Sequence, residues 1–439
     1  MTFASSLLYA KKVFFSKTNR GSEKSSGRRS LTGAIICIAV SLIPLVAVLS
    51  VSSGMISGIT GRMIHLSTQD IQVTLDKESI YAKSENEMLN LASSLCSADG
   101  AVAAYSEVNL MALAAGSSFR SGASVRAVEK DIFEKNKYFS SFFNIVEGDI
   151  DLSKERNAVI GKKLSEILGL HAGDNLKLIT LRKAAGKTVP KVSVFKVTGI
   201  VSCGYQELDA LWVFVPLENA FNAFKNSSME YYVSIETDRT FSETLEKTLL
   251  ELKKMLLSDF NSGRFSIDTW KNINAAQFEN FASTRALLIV IMFAIILAAS
   301  INISAAIVMV VMERKKEIAI LKSTGASSGG IALSFVMTGL FTGLSGILIG
   351  IPAGLLISVF INPLISGVEH IVNFCLGLFN AGHIKFLDPA FYLQQIPVVI
   401  PWSEICLIMV SVIVLSIIVS VLPSIKAGKS NITEVLSKN

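Results

Sequence analysis

Two triplets in this chain have the residue types that cradle a phosphate: Gly186-Lys187-Thr188 and Gly428-Lys429-Ser430. A phosphate loop needs a further glycine five positions before the one preceding the lysine, so that consecutive backbone N–H groups turn toward the anion. Leu181 and Pro423 stand there instead, and neither triplet is read as an ATP site. Hydrolytic signatures are missing too. No H-E-x-x-H or G-x-S-x-G pattern occurs, and the four histidines are scattered, with His65 and His171 most simply surface or interface residues. The five cysteines (Cys37, Cys96, Cys203, Cys375, Cys406) lack C-x-x-C spacing, and no disulfide framework is expected. Neither a catalytic site nor a metal site is expected within the chain.

A different kind of chemistry, docking, is available to Glu313–Ser327, ERKKEIAILKSTGAS. Ile318 and Leu321 are three apart, as on one face of a helix, with Arg314, Lys315, Lys316 and Glu317 beside them. Gly325 follows as a C-cap. A compact amphipathic helix between two apolar runs suits a groove on a partner protein. An ordinary basic turn at a membrane face is an equal alternative. On the docking reading, Ile318→Asp together with Leu321→Asp abolishes partner binding.

The elements that hold this stretch are apolar. The chain has 439 residues, 51% hydrophobic and only 17% charged, against about 25% charged in soluble domains. Ala286–Met312 carries no charge, and Ser323 to Val368 contains no Asp, Glu, Lys or Arg. Each exceeds the roughly 20 residues needed to cross a hydrocarbon core of about 30 Å. Spans are expected at 31–55, 286–312, 331–362 and 405–422. Pro44 is expected to kink the first, and Pro352 and Pro363 to bend or end the third; Pro423 follows the fourth. The third span carries Gly339, Gly343, Gly346, Gly350 and Gly354, small-residue spacings that favour close helix packing over mere glycine enrichment. Asn302 is the one strongly polar side chain of the second span.

Charge sets the orientation. Residues 1–30 carry Lys11, Lys12, Lys17, Arg20, Lys24, Arg28 and Arg29 against Glu23, with Phe3, Leu7, Ala10 and Phe14 at helical spacing, as in a helix lying on the inner leaflet. A cleaved signal peptide would have a shorter apolar core. With four spans, the N-terminal segment, the 313–330 loop and the 423–439 tail share the positive, cytoplasmic side. The net charge of +6 is read as membrane orientation, not nucleic-acid binding. Residues 56–285 then lie outside, as does 363–404, expected as an interfacial loop with short helices. The larger region reads as α+β: strands at Ile71–Leu75, Ala158–Ile160, Leu176–Ile179, Val192–Val201, Leu211–Val215, Tyr231–Ile235 and Phe265–Asp268, and helices at Glu85–Cys96, Leu164–Leu168 and Phe241–Leu257. The expected class is an α-helical membrane protein with four transmembrane helices and a large α+β extracytoplasmic domain between helices 1 and 2.

This order, together with EIAILKSTGAS, resembles the type VII ABC permeases: the lipoprotein-releasing LolC/LolE proteins, MacB and FtsX. The LolC/LolE branch is the nearest likeness and covers nearly the whole chain. VLSVSSGM, AVIGKKLSEILGLHAGDNLKLI, YQELDALWVFVPLENA, WKNINAAQFENFASTRALL, FYLQQIPVVIPW and PSIKAGKSNITEVL are each similar to the family's segment at that place, and their order and spacing are specific together. Two features depart from the pattern: a longer basic linker at Ser16–Ser30, and Ile301 before Asn302 where the family has Phe.

The resemblance implies that the helix between spans 2 and 3 docks on a LolD-like ATPase dimer, with Glu317, Ile318, Ala319, Leu321, Lys322, Gly325 and Ala326 at the matching positions. ATP and Mg belong to that partner; this chain would hold no cofactor. A second permease subunit, identical or homologous, would complete a cavity for acylated lipoprotein. Its lining candidates here are Ile43, Val46, Leu49, Ile289, Met292 and Phe293, for which plain lipid contact is an even alternative. A periplasmic LolA-like carrier would receive the cargo, with Thr180–Lys191 as the candidate contact. The implied location is the bacterial inner membrane, both termini cytoplasmic. FtsX-like gating of a cell-wall hydrolase, or MacB-like export, stays open; the outer region is large for the first, and no fused ATPase accompanies the second.

Overall fold

In the computed structural model the described residues are 3–15, 26–117, 119–184, 187–225, 227–238, 243–258, 265–378 and 397–429. In chain order the helices are α1 (Phe3–Phe15), α2 (Ser26–Met63), α3 (Glu85–Leu95), α4 (Ile132–Lys135), α5 (Lys137–Phe142), α6 (Lys162–Leu168), α7 (Gln206–Asp209), α8 (Glu218–Phe221), α9 (Glu243–Ser258), α10 (Trp270–Ile273), α11 (Ala275–Glu313), α12 (Lys315–Ser323), α13 (Ser328–Val359), α14 (Ile361–Leu378) and α15 (Trp402–Lys429). The strands are β1 (Ile71–Leu75), β2 (Ala101–Ala115), β3 (Arg120–Val128), β4 (Asn144–Gly148), β5 (Asn157–Gly161), β6 (Asn175–Ala184), β7 (Lys187–Ser202), β8 (Trp212–Pro216), β9 (Glu230–Thr237) and β10 (Phe265–Thr269). The chain divides into two units. One is Met1–Met55, Asn280–Gly382 and Ile396–Asn439; the other is Ile56–Glu279 and His383–Gln395.

The first unit holds the apolar helices. α2, α11, α13 and α15 are each long and apolar enough to cross a membrane. α13 is the centre of this unit, and its glycines divide between two neighbours. A Cβ on Gly339 or Gly343 would strike Ser420 or Ser416 of α15. A Cβ on Gly346, Gly350 or Gly354 would strike Ile38, Leu42 or Val46 of α2. Small residues are used here because apolar contact alone gives helices no preference for each other over lipid, whereas close approach gains dispersion contacts. Three buried hydroxyls of α13 are satisfied within their own helix: Ser334 donates to Gly330 O, Thr338 to Ser334 O and Thr342 to Thr338 O, each at 2.9 Å. Asn302 donates to Cys37 Sγ at 2.8 Å, joining α11 to α2.

Pro352, Pro363 and Pro423 all fall within helices. α13 runs through Pro352 to Val359, and α15 runs through Pro423 to Lys429, so neither proline stops its helix. Proline removes one backbone donor, which a packed membrane helix tolerates when its neighbours and hydroxyls cover the freed carbonyl. Pro363 sits in the first turn of α14, where a missing N–H costs little, and the loop expected to hold short helices holds one of 18 residues over its first part. Residues 379–396 of that loop, including His383, Lys385 and Asp388, lie outside the described residues.

The second unit is a ten-stranded mixed sheet in the order β10-β1-β9-β2-β3-β8-β5-β7-β4, with β6 pairing β2 and β7. β8 shows why it needs cover on both faces. Val213 and Val215 join the main core with residues of α3, α6 and α9, while Trp212 and Phe214 point the other way, into an aromatic cluster with Phe133, Phe139 and Phe143. The seven strands expected from sequence are present. β2, β3 and β4 were not foreseen.

Candidate functional site

α12 is the short helix between two long ones, and its ends are chemically defined. Arg314 precedes it and donates through Nη1 to Glu317 Oε2 at 2.8 Å. Its C-terminus closes as a Schellman motif: the Ala326 N–H reaches Leu321 O at 2.9 Å, and the Gly325 N–H reaches Lys322 O at 3.0 Å. Gly325 has φ +93°, which a side chain would resist, so its cap role is a backbone requirement. α1 approaches the same helix. Tyr9 Oη lies 3.4 Å from Glu317 Oε2, Ser6 donates to Gly330 O at 3.0 Å, and the Tyr9 ring meets Phe335 edge-on. Burial pushes the Tyr9 phenol up to about 12, the Glu317 carboxylate adding to this and Arg314 opposing it.

The exposed face of α12 differs from the expected one. Ile318 and Ala319 are buried in the core of their own unit, at 1% and 3% exposure. Leu321, Lys322 and Ala326 are half-buried, and Glu317 and Gly325 are exposed. The outward residues are Lys315, Lys316, Glu317, Ile320 and Ser323, with Ile320 at 59% exposure. The physical reason is that a nine-residue helix between two spans must use one face to seat itself, and Ile318 fills that role. Asp at Ile318 therefore tests folding and not docking. The missed residue is Ile320, whose i+4 spacing from Lys316 was the available signal.

The six cavity candidates separate by burial. Val46, Leu49 and Met292 are buried within the unit's own core, at 0%, 3% and 1% exposure. They are taken by the chain's own packing, Val46 against Gly354. Ile43 and Ile289 are half-buried, and Phe293 is half exposed. The open apolar surface on these helices is carried instead by Val40 and Val48 of α2 and Leu287, Val290, Leu297 and Ile301 of α11. Sequence could not assign faces here, because every face of these helices is apolar.

In the sheet unit, Thr180–Lys191 is the far part of the β6–β7 hairpin, with Thr180 opposite Lys191 and Leu181 opposite Pro190; residues 185 and 186 are not among those described. Below it Met111, Leu113, Ile179 and Leu181 line an open concavity of about 710 Å³. Met111 and Leu181 are more than 60% exposed there, and Lys177, Arg182 and Lys187 stand exposed on the same hairpin.

A second feature of this unit was not foreseen. Where α2 ends, a π-helical turn, Ile64–Thr68, leads into β1. Gln69 between them has φ 53° and ψ −161°, a conformation that only glycine adopts freely. It is held by its own N–H to Ile64 O at 2.7 Å and its Nε2 to His65 O at 2.5 Å. Arg126 of β3 donates to Leu66 O in the turn at 2.5 Å and forms a two-pronged pair with Glu107, both contacts 2.6 Å. Its guanidinium lies 4.7 Å from the Trp212 ring centre. Arg62, at the end of α2, donates to Cys203 O at 2.7 Å. Burial, the first cause, lowers the His65 pKa, with nearby Asp70 and Glu236 opposing it.

Residues 31–248 match the MacB-like periplasmic core domain, and residues 289–432 match the FtsX-like permease C-terminal family. The chain is 24% identical over 413 residues to the lipoprotein-releasing system transmembrane protein LolC of Neisseria meningitidis serogroup B, covering 92% of each protein. It is 25% identical over 338 residues to LolE of Haemophilus influenzae, covering 76% of each. A LolC of Buchnera aphidicola is 26% identical over 291 residues, covering 65% of each.

Proposed function

We propose that this chain, which belongs to the LolC/LolE type of ABC-transporter permease, is the membrane subunit that lifts acylated lipoproteins out of the outer leaflet of a bacterial inner membrane. ATP and Mg are held by a LolD-like ATPase dimer on the cytoplasmic side. α1, α12 and the end of α15 lie on that side, and the sheet unit lies in the periplasm. A second permease subunit faces this one. The lipoprotein enters between the exposed surfaces of α2 and α11, and a LolA-like carrier takes it up at the β6–β7 hairpin. Moving acyl chains out of lipid costs about 0.8 kcal/mol per CH₂. Several chains together exceed what thermal fluctuation supplies, which is why an ATP-driven partner is part of the reading.

The observation that carries this reading is α12. It is rigidly capped, seated by Ile318, and presents Lys316, Glu317 and Ile320 outward between two apolar helices. An exposed isoleucine at 59% on such a helix fits a partner groove. Ile320→Asp is expected to abolish copurification of the ATPase while the permease stays in the membrane with unchanged thermal stability. Undiminished ATPase binding by that variant overturns the docking assignment. Native mass spectrometry of the gently extracted wild-type complex tests the cargo. Two ATPase subunits and a bound triacylated lipoprotein are expected; a cell-wall hydrolase or an outer-membrane channel in its place moves the reading to the FtsX or MacB type.

A further inference from the structure

α14 follows α13 after a single residue, Phe360, and its residue types sort sharply around the helix. At about 100° per residue, Asn362, Ser366, Glu369 and Asn373 fall on one narrow stripe. Asn362, Glu369 and Asn373 are half-buried, so part of this stripe turns toward the protein, while Ser366 and the neighbouring His370 stay exposed. The opposite arc is apolar and open: Leu364 at 49%, Val368 at 44%, Ile371 at 66% and Phe374 at 72% exposure, with Cys375 also exposed. No charged residue lies on that arc. It continues the exposed apolar surface at the end of α13, where Leu356, Val359 and Phe360 are 56–60% exposed.

The path of the chain argues against a crossing by this helix. α13 climbs beside α2 in parallel, Gly346 at Ile38, Gly350 at Leu42 and Gly354 at Val46. Its end therefore lies level with the stretch of α2 near Gly54. Pro397 O abuts Gly54, and Glu404 at the start of α15 pairs with Arg285 near the start of α11. The chain thus leaves α13 and re-enters α15 at the same end of the bundle, and an 18-residue helix about 27 Å long lies between.

We infer that α14 is a monotopic helix lying flat in the outer leaflet, with Leu364, Val368, Ile371 and Cys375 among the lipid acyl chains. This rests on the topology proposed above, which places that end of the bundle outside. Water is a poor partner for so wide an apolar arc, and the continuity with the lipid-facing surface of α13 selects lipid over a protein partner. Such a helix sinks roughly 5–10 Å below the headgroups. There it displaces lipid on one leaflet only, the leaflet from which acylated cargo has to be lifted, and loosens the packing beside the permease.

The test is site-directed spin labelling of the full chain in phosphatidylethanolamine–phosphatidylglycerol vesicles. Cys37→Ala, Cys96→Ser, Cys406→Ala and, in every variant but the one labelled at 375, Cys375→Ala remove the accessible thiols; Cys203 is buried and its thiol is pushed up by that burial, so it stays. Nitroxides are then placed singly at 364, 366, 368, 370, 371 and 375. Collision with oxygen, which concentrates in lipid, is expected to exceed collision with a water-soluble nickel chelate at least threefold at 364, 368, 371 and 375, at one shallow depth. The ratio is expected to reverse at 366 and 370. Nickel access at every position places the helix in water and overturns the inference. Low access to both reagents along the arc means that a protein covers it, and steadily increasing depth along the helix means that it spans; either also overturns it. The measurement reads membrane depth alone, so its outcome is separate from whether the chain releases lipoproteins.

Discussion

The two units of this chain are held together by opposite means. In the helical unit the decisive residues are those with least side chain. Gly346, Gly350 and Gly354 let α13 approach α2, and the buried hydroxyls of Ser334 and Thr338 bond within α13. In the sheet unit the decisive residue is among the largest and most polar, Arg126, whose side chain in the paired contact is 4% exposed and which bonds Glu107, Leu66 O and the Trp212 ring at once. The difference follows from solvent. Lipid offers no hydrophobic drive between helices, so steric fit must specify the contact. Water supplies that drive to the sheet, which leaves a buried ion pair free to fix which strands and which turn come together.

The largest effect is expected where the sheet unit's polar anchor is cut. Arg126→Ala leaves Glu107 buried without its cation and is expected to cost about 3–5 kcal/mol. Hydrogen exchange of β2 and β3 amides in the solubilised chain reads this directly. Arg126→Met combined with Glu107→Leu is expected to recover most of the loss, because no unpaired charge remains. If the double variant is as unstable as the single, the pair contributes more than mutual neutralisation. The matching change in the helical unit is smaller. Gly350→Ala brings a Cβ within 3.1 Å of the Ala39 backbone and is expected to cost about 1–3 kcal/mol, seen as a lower thermal midpoint in detergent. Gly33→Ala, with nothing within 4 Å, is the control and is expected to be neutral or slightly stabilising.

How much of this was legible in the sequence also differs between the units. Charge-free runs announce long apolar helices from composition alone, but not which face turns inward, since Val46 and Val48 are equally apolar and only the first is buried. The same limit hid Ile318 behind a helical pattern that fitted either face. In the sheet unit, strands rich in Val and Ile were readable. β2, with the sequence AVAAYSEVNLMALAA, was not, because alanine favours helix locally. It is a strand because Ala112 and Ala114 are the small residues that fit beneath neighbouring strands in the crowded core. Arg126 gave no sequence signal, since its partners Glu107 and Leu66 lie 19 and 60 residues away.

Gln69 offers a sharper probe of the junction between helix and sheet. Its positive φ is strained for any residue with a side chain, yet the bonds of Ile64 O, His65 O and Arg126 hold the turn in place. Gln69→Gly is expected to raise stability by about 1 kcal/mol, the relieved strain partly offset by the entropy of glycine. An unchanged or lower thermal midpoint would mean that the Nε2 bond to His65 O outweighs the strain.

The smallest effect is expected at the exposed counterpart of the Arg126 pair. His171 Nδ1 lies 3.1 Å from Glu147 Oε2, and both side chains face water. The hydrogen bond to Glu147 raises the histidine pKa, and the same bond lowers that of the carboxylate. A raised histidine contributes stability that is present below its unfolded pKa of about 6.5 and is lost as pH rises through the higher folded value. A lowered carboxylate contributes above its unfolded pKa of about 4.3, so the contact acts between those limits. Solvent and salt screen it. The wild-type chain is expected to lose a barely resolvable amount of stability as pH rises above neutrality at low salt, and His171→Gln or 1 M NaCl is expected to flatten that slope. A slope that survives His171→Gln would show that the His171–Glu147 contact is not its source.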